Sequence, residues 1–145
     1  MRDTEMVGLW DSGPYDLGVM ESSWLCLRAD GTGWSCWANV GGSSASRLTW
    51  SCPRAGEVEL RYHWTVSGSW HDASRLPAVD EVEEEGPDDL VVRTGYRIAP
   101  DTPPVGPTVT ALFLDEAVEF CHRFGLARRD LADLADLADP TRRTS

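Results

Sequence analysis

Residues 57–66, EVELRYHWTV, alternate without a break. Val58, Leu60, Tyr62, Trp64 and Val66 fall on one side, and Glu57, Glu59, Arg61, His63 and Thr65 on the other. A period of two over this length predicts a strand with one face buried. Shorter runs of the same kind recur along the chain: VGLW (7–10), MESSWLCLR (20–28), WSCWANV (34–40), RLTWSC (47–52), DLVVRTGYRIA (89–99) and TVTALFL (108–114). Turn signals stand between them, with ADGTG at 29–33, GGSSAS at 41–46 and PRAG at 53–56. Short strands punctuated in this way predict an all-β, mainly antiparallel sandwich or barrel. After Leu114 the period changes. Ala117, Phe120, Cys121 and Phe124 follow i, i+3, i+4, i+7, which predicts a helix over 115–124, with Asp115 as N-cap and Gly125 just past its end. The barrel domain is therefore expected over 1–127. A tail over 128–145 follows, where the LAD repeat of 131–139 drifts around a helix and makes no narrow stripe, so it is read as partly helical and then disordered.

Pairing the strands through their turns gives a more specific expectation. A loop at 30–32 sets Cys26 opposite Cys36 and Trp24 opposite Ala38. Turns centred on Ser44 and Ala55 extend these into a row Cys26–Cys36–Cys52–Val58 and a row Trp24–Ala38–Trp50–Leu60. Both rows fall on the face that carries Tyr62 and Trp64. The expected inner wall, and the expected ligand-contacting set, is thus Trp24, Cys26, Cys36, Trp50, Cys52, Leu60, Tyr62 and Trp64. Each register is sensitive to a slip of one residue, which would reverse the faces. Such a wall can be a packed core, because a free Cys behaves as a small hydrophobe and Trp as a large one. It can equally line a cavity, since a barrel of about eight strands is just wide enough for one small ligand. Zinc held by Cys26, Cys36 and Cys52 is disfavoured by their wide spacing, and a Cys26–Cys36 disulfide by a reducing compartment.

Composition narrows the classes. The 145 residues suit one domain. A net charge of −11 disfavours nucleic acid and anionic membrane surfaces as partners. All 13 basic residues are Arg, a bias that suggests a GC-rich bacterial genome. The N-terminus MRDTEMVGLW lacks an apolar signal core, and no apolar run approaches bilayer length, so a cytoplasmic location is expected. Residues 71–89 hold eight carboxylates and two prolines and read as a solvated loop, or a lid. Glu83, Glu84 and Glu85 in that stretch would face a basic protein partner, if there is one. No phosphate-binding glycine loop, nucleophile elbow, metalloprotease helix or paired-cysteine motif is present, and GGSSAS reads as a flexible turn. No cofactor or metal is implied.

The Gly8-Leu9-Trp10 triplet on the first strand, the antiparallel meander after it and the expected C-terminal helix resemble the lipocalin-like barrels, or calycins. Thr94-Gly95-Tyr96 is similar to that family's second motif, with its acid replaced. The resemblance implies an up-and-down barrel of about eight strands, with Trp10 closing its bottom and an Arg after the last strand packed across that ring. Arg123 is the nearest match, although the expected helix contains it. The family includes haem-binding barrels, but His63 is out of phase with the apolar face of its strand. The favoured function is a soluble barrel that holds a small hydrophobic or aromatic molecule in its lumen. The alternatives are an acidic interaction module of the immunity or inhibitor type, and a small barrel cyclase or isomerase.

Overall fold

Tight turns link the strands. Gly41 (φ 84) and Gly56 (φ 76) take left-handed conformations in two of them, which L side chains adopt only at a cost. A computed structural model describes residues 3–16, 21–70 and 78–131. Its strands are β1 (Gly8–Asp11), β2 (Glu21–Leu27), β3 (Thr32–Asn39), β4 (Gly42–Arg54), β5 (Glu57–Ser69), β6 (Glu81–Pro87), β7 (Val91–Asp101), β8 (Val109–Val118) and β9 (Cys121–Arg128). All pairings are antiparallel. The order β4-β3-β2-β1-β9-β8-β7-β5, with β4 also paired to β5, closes an eight-stranded barrel. Along the edge away from β4, long β5 serves two neighbours: its first half pairs with β7, and its second half with β6, which hangs outside the closed ring.

The helix expected over 115–124 is not formed. β8 runs on to Val118, which pairs with Cys121 across a turn made by Glu119 and Phe120, and β9 returns. The helical spacing of Ala117, Phe120, Cys121 and Phe124 arises because this turn interrupts two strands. Ala117 and Phe120 are exposed, while Phe124 is fully buried. The only helical pieces among the described residues are short 3-10 turns at Thr4–Met6 and Gly13–Tyr15, and no described helix is long and apolar enough to cross a membrane. The LAD repeat from residue 132 onward and residues 71–77 of the expected loop lie outside the described residues. The remainder of that loop contains β6.

One end of the barrel is sealed by the N-terminus. Trp10 donates its indole N–H to the Met6 carbonyl at 2.9 Å, and Tyr96 of β7 donates to Asp3. The arginine that crosses Trp10 is Arg129, directly after β9, not Arg123. Its guanidinium lies 5.8 Å from the ring centre and donates to the Glu5 and Val7 carbonyls. With the last element a strand, Arg123 sits within β9 and stacks on Tyr15 instead.

The registers divide the expected inner wall. Trp50 faces Leu60 across β4–β5, as expected. The β2–β3 hairpin is tighter, with Trp24 opposite Cys36 and Cys26 opposite Trp34, a shift of two that leaves the faces unchanged. The β3–β4 turn lies at Val40–Gly41 instead of Ser44, and the slip is odd. Cys36 therefore meets Ala45, not Cys52. Every later assignment on β4 is thereby moved to the opposite wall relative to β3. Two buried clusters result. Trp10, Leu25, Leu27, Leu48, Trp50, Cys52, Leu60, Tyr62 and Phe124 join strands from around the ring and fill the interior. Leu9, Trp24, Cys26, Trp34, Cys36, Ala38, Ala45 and Trp70 form a second cluster on the outer wall of β1–β4, with Val79 and Leu131 against it. Burying this many apolar side chains outside the ring explains the density of Trp and Cys in WLCLRADGTGWSCW better than a lumen does. All four cysteines are free thiols, and Cys52 lies across the wall from Cys26 and Cys36, so they cannot share one ion.

Candidate functional site

Following the inner wall from strand to strand shows two tiers. Near the sealed end, Leu27, Gly33, Leu48 and Tyr62 form one cross-strand row. One step further, Leu126, Trp10 and Leu25 continue as Ser35, Ser46 and Thr65, and the next row holds Ser23, Trp37, Ser44 and Ser67. The interior thus passes from hydrocarbon to hydroxyl groups towards the opposite end. Ser23, Ser35 and Ser46 are buried. A buried hydroxyl is costly unless it is hydrogen-bonded, so a tier of them needs partners.

The β8–β9 turn supplies one. Ser23 donates to the Glu119 carbonyl at 2.7 Å, and Ser35 donates to Glu119 Oε1 at 2.8 Å. The Tyr62 oxygen lies 3.4 Å from the Ser35 oxygen. Burial raises the pKa of Glu119 above the ordinary carboxyl range, against the opposing effect of the Ser35 hydrogen bond. Burial likewise pushes Tyr62 up to about 12, so its phenol keeps its proton. Phe120 packs edge-on to Trp37 with ring centres 5.9 Å apart, and the buried Trp37 N–H has no partner among the described residues.

Tyr62, Glu119 and Phe120 border a cavity of about 320 Å³, lined also by Ser46, Asp88, Leu90, Val92, Ala117 and Val118. It exists because β5 leaves β7 after Arg61 and turns to β6, which parts the wall at this end. Among the described residues, Glu119 (φ 51) and Phe120 (φ 66) are the non-glycine residues with left-handed backbone. A turn of this type favours Asn-Gly, and each bulky residue held there costs on the order of 1–2 kcal/mol. Strain of this kind at a cavity wall is a mark of a functional site.

Of the eight residues expected to contact a ligand, only Tyr62 lines this cavity. Trp50, Cys52 and Leu60 belong to the packed tier, and Trp24, Cys26 and Cys36 to the outer cluster. Trp64 is 36% exposed on the outer wall, because the register shift between Arg47 and Leu48 reverses the alternation of β5 after Tyr62. Glu119, Ser35, Ser46 and Val92 were not among the eight. Serines 35, 44 and 46 are visible in the sequence, but GGSSAS reads as a turn, which hides the inward placement of Ser44 and Ser46. Among the described residues no group of three or more His, Cys, Asp or Glu side chains is placed to hold a metal ion. Comparison of the chain with protein-family models, curated proteins and solved structures finds no match.

Proposed function

We propose that this protein is a lipocalin-like binding barrel that takes a small aromatic or hydrophobic molecule, bearing one hydrogen-bonding group, at its hydroxyl-lined end. The observation that carries this reading is Glu119, half-buried at a cavity wall, with its carboxyl held by Ser35 on a strained turn. Apolar walls with a few fixed polar groups are what small-molecule sites require. Tyr62, Leu90, Val92, Val118 and Phe120 supply the walls, and Glu119, Asp88 and Ser46 the polar contacts. The Trp10–Arg129 stack and the closed eight-strand ring support the calycin likeness. The sealed half is filled by its own side chains, so the ligand belongs to the open half.

The test is a fluorescence titration with N-phenyl-1-naphthylamine, a neutral aromatic probe. Saturable binding is expected for the parent, with at least a tenfold weakening in Val92→Trp, whose larger ring occupies the cavity. Equal affinity in both proteins would place the probe elsewhere and remove the reading. A second reading, proton transfer to or from the bound molecule by an isomerase or cyclase, is favoured by the raised pKa of Glu119 beside the Tyr62 phenol. A natural ligand recovered intact after incubation with parent protein would count against it.

A further inference from the structure

A second depression, of about 510 Å³, lies between the β2–β3 hairpin and the β4–β5 pair. It involves none of the residues that line the open-end cavity. Arg28, Thr32, Arg47, Thr49 and His63 contribute to it, with Asp30 as its one carboxylate. This balance is opposite to that of the chain, which carries 24 acidic residues against 13 basic ones.

The architecture explains how the cations meet. Thr32 and Thr49 are direct cross-strand partners, and Arg47 lies two residues along β4 from Thr49, on the same face. On β5, Arg47 pairs with Trp64 and Leu48 with Tyr62, which leaves His63 as the extra residue of a bulge. A bulge re-aims its side chain, and His63 joins the groove, held by a 2.9 Å contact between its Nε2 and Thr49 Oγ1. The Asp30 carboxylate is engaged by its own hairpin, with Oδ1 accepting from the Thr32 amide at 2.9 Å and the Thr32 hydroxyl at 2.7 Å. Arg28 reaches over the same hydroxyl at 3.4 Å. With the Thr32 proton given to Asp30, the donors facing the groove are two guanidiniums and the Thr49–His63 pair, which keeps one further N–H or O–H whichever partner donates within it. Guanidinium forks match the paired oxygens of phosphate and carboxylate. In a strongly negative molecule, a local excess of cations is what lets an anion approach.

We propose that this outer groove binds the phosphate or carboxylate group of a small anionic metabolite, with Arg28 and Arg47 as the charge partners and the Thr49–His63 pair as the hydrogen-bonding partner. The groove is larger than a lone oxyanion needs, so it admits a small organic body behind the charged group.

The test uses full-length protein, with amide chemical shifts followed during titration with inorganic phosphate and, separately, malonate, and with sodium chloride at matched ionic strength as control. Saturable shifts at Thr32, Arg47, Thr49 and His63 with phosphate alone assign a phosphate group, and with malonate alone a carboxylate. Roughly tenfold weakening is expected in both Arg28→Gln and Arg47→Gln, the loss anticipated for one charge-assisted contact. Arg47→Lys, which keeps the charge and loses the fork, should recover part of it. Glu119→Gln and Val92→Trp should leave anion binding unchanged, so failure here and failure of the open-end site are separable. Shifts that follow ionic strength whichever salt is used would overturn the proposal. So would affinities unmoved in both glutamine variants.

Discussion

Glu119 connects backbone, charge and cavity in one residue. Its left-handed backbone is held from within the barrel, by Ser23 on its carbonyl and Ser35 on its carboxyl. Burial raises its pKa, so the folded chain binds the proton more tightly than the unfolded chain does. The stability this contributes is complete below the unfolded pKa and is lost as pH rises through the folded one. Glu119→Gln cannot ionise. Its urea unfolding curve should therefore match the parent in acid and show the greater stability at neutral pH and above. Asp11 and Asp16, whose pKa values are also raised by burial, titrate in both proteins and cancel in the difference. A difference that does not change between about pH 4 and pH 8 would mean that Glu119 is ionised as readily as in water. Phe120, 80% exposed, is the companion case. Phe120→Gly relieves a left-handed bulky residue, worth about 1–2 kcal/mol. It loses a ring pair worth about 0.5–1.5 kcal/mol. Stability should stay within about 1 kcal/mol of the parent while naphthylamine affinity falls, since Phe120 lines the cavity. Destabilisation beyond about 3 kcal/mol would make Phe120 a structural residue instead.

At the scale of elements, the sequence was most legible where one face is plainly buried. The β4–β5 register, with Trp50 opposite Leu60, follows from the alternation of 57–66 up to Tyr62. The bulge at His63 was not legible, because nothing in HWTV distinguishes a strand that continues from one that changes faces. The stretch NVGGSSAS offered several places to turn. The chain uses Val40–Gly41 and gives Ser43, Ser44 and Ser46 to β4, so part of the hydroxyl tier reads in the sequence as a flexible turn. DEAVEFCHRF has helical spacing, yet pairing with β8 and β1 overrides it. β6 shows a different limit. Its carboxylates read as a solvated loop, but they decorate a strand that pairs only with β5 among the described residues. Charges on such a strand discourage edge-to-edge addition of another chain. Replacing exposed Glu81, Glu83 and Glu84 by Thr should raise self-association in sedimentation velocity as concentration rises. A sedimentation profile identical to the parent would assign the carboxylates another task, with the basic partner the next to test.

For the molecule as a whole, closure of the sheet makes both its faces do separate work. The inner face packs hydrocarbon against the end sealed by Trp10, Met6 and Arg129, and opens through hydroxyls towards Glu119. The outer face buries a Trp and Cys cluster on β1–β4. The fold class was readable from strand and turn spacing alone. The position of the site was not, because it depends on the parity of one turn and on where β5 changes partner. The central claim is that the hydroxyl-lined end holds a small molecule. Native mass spectrometry of the protein purified from its own source, beside Val92→Trp prepared in the same way, tests it most directly. The account predicts a mass excess on the parent that disappears on denaturation and is absent from Val92→Trp. A bare parent mass, or the same excess on both proteins, would contradict it.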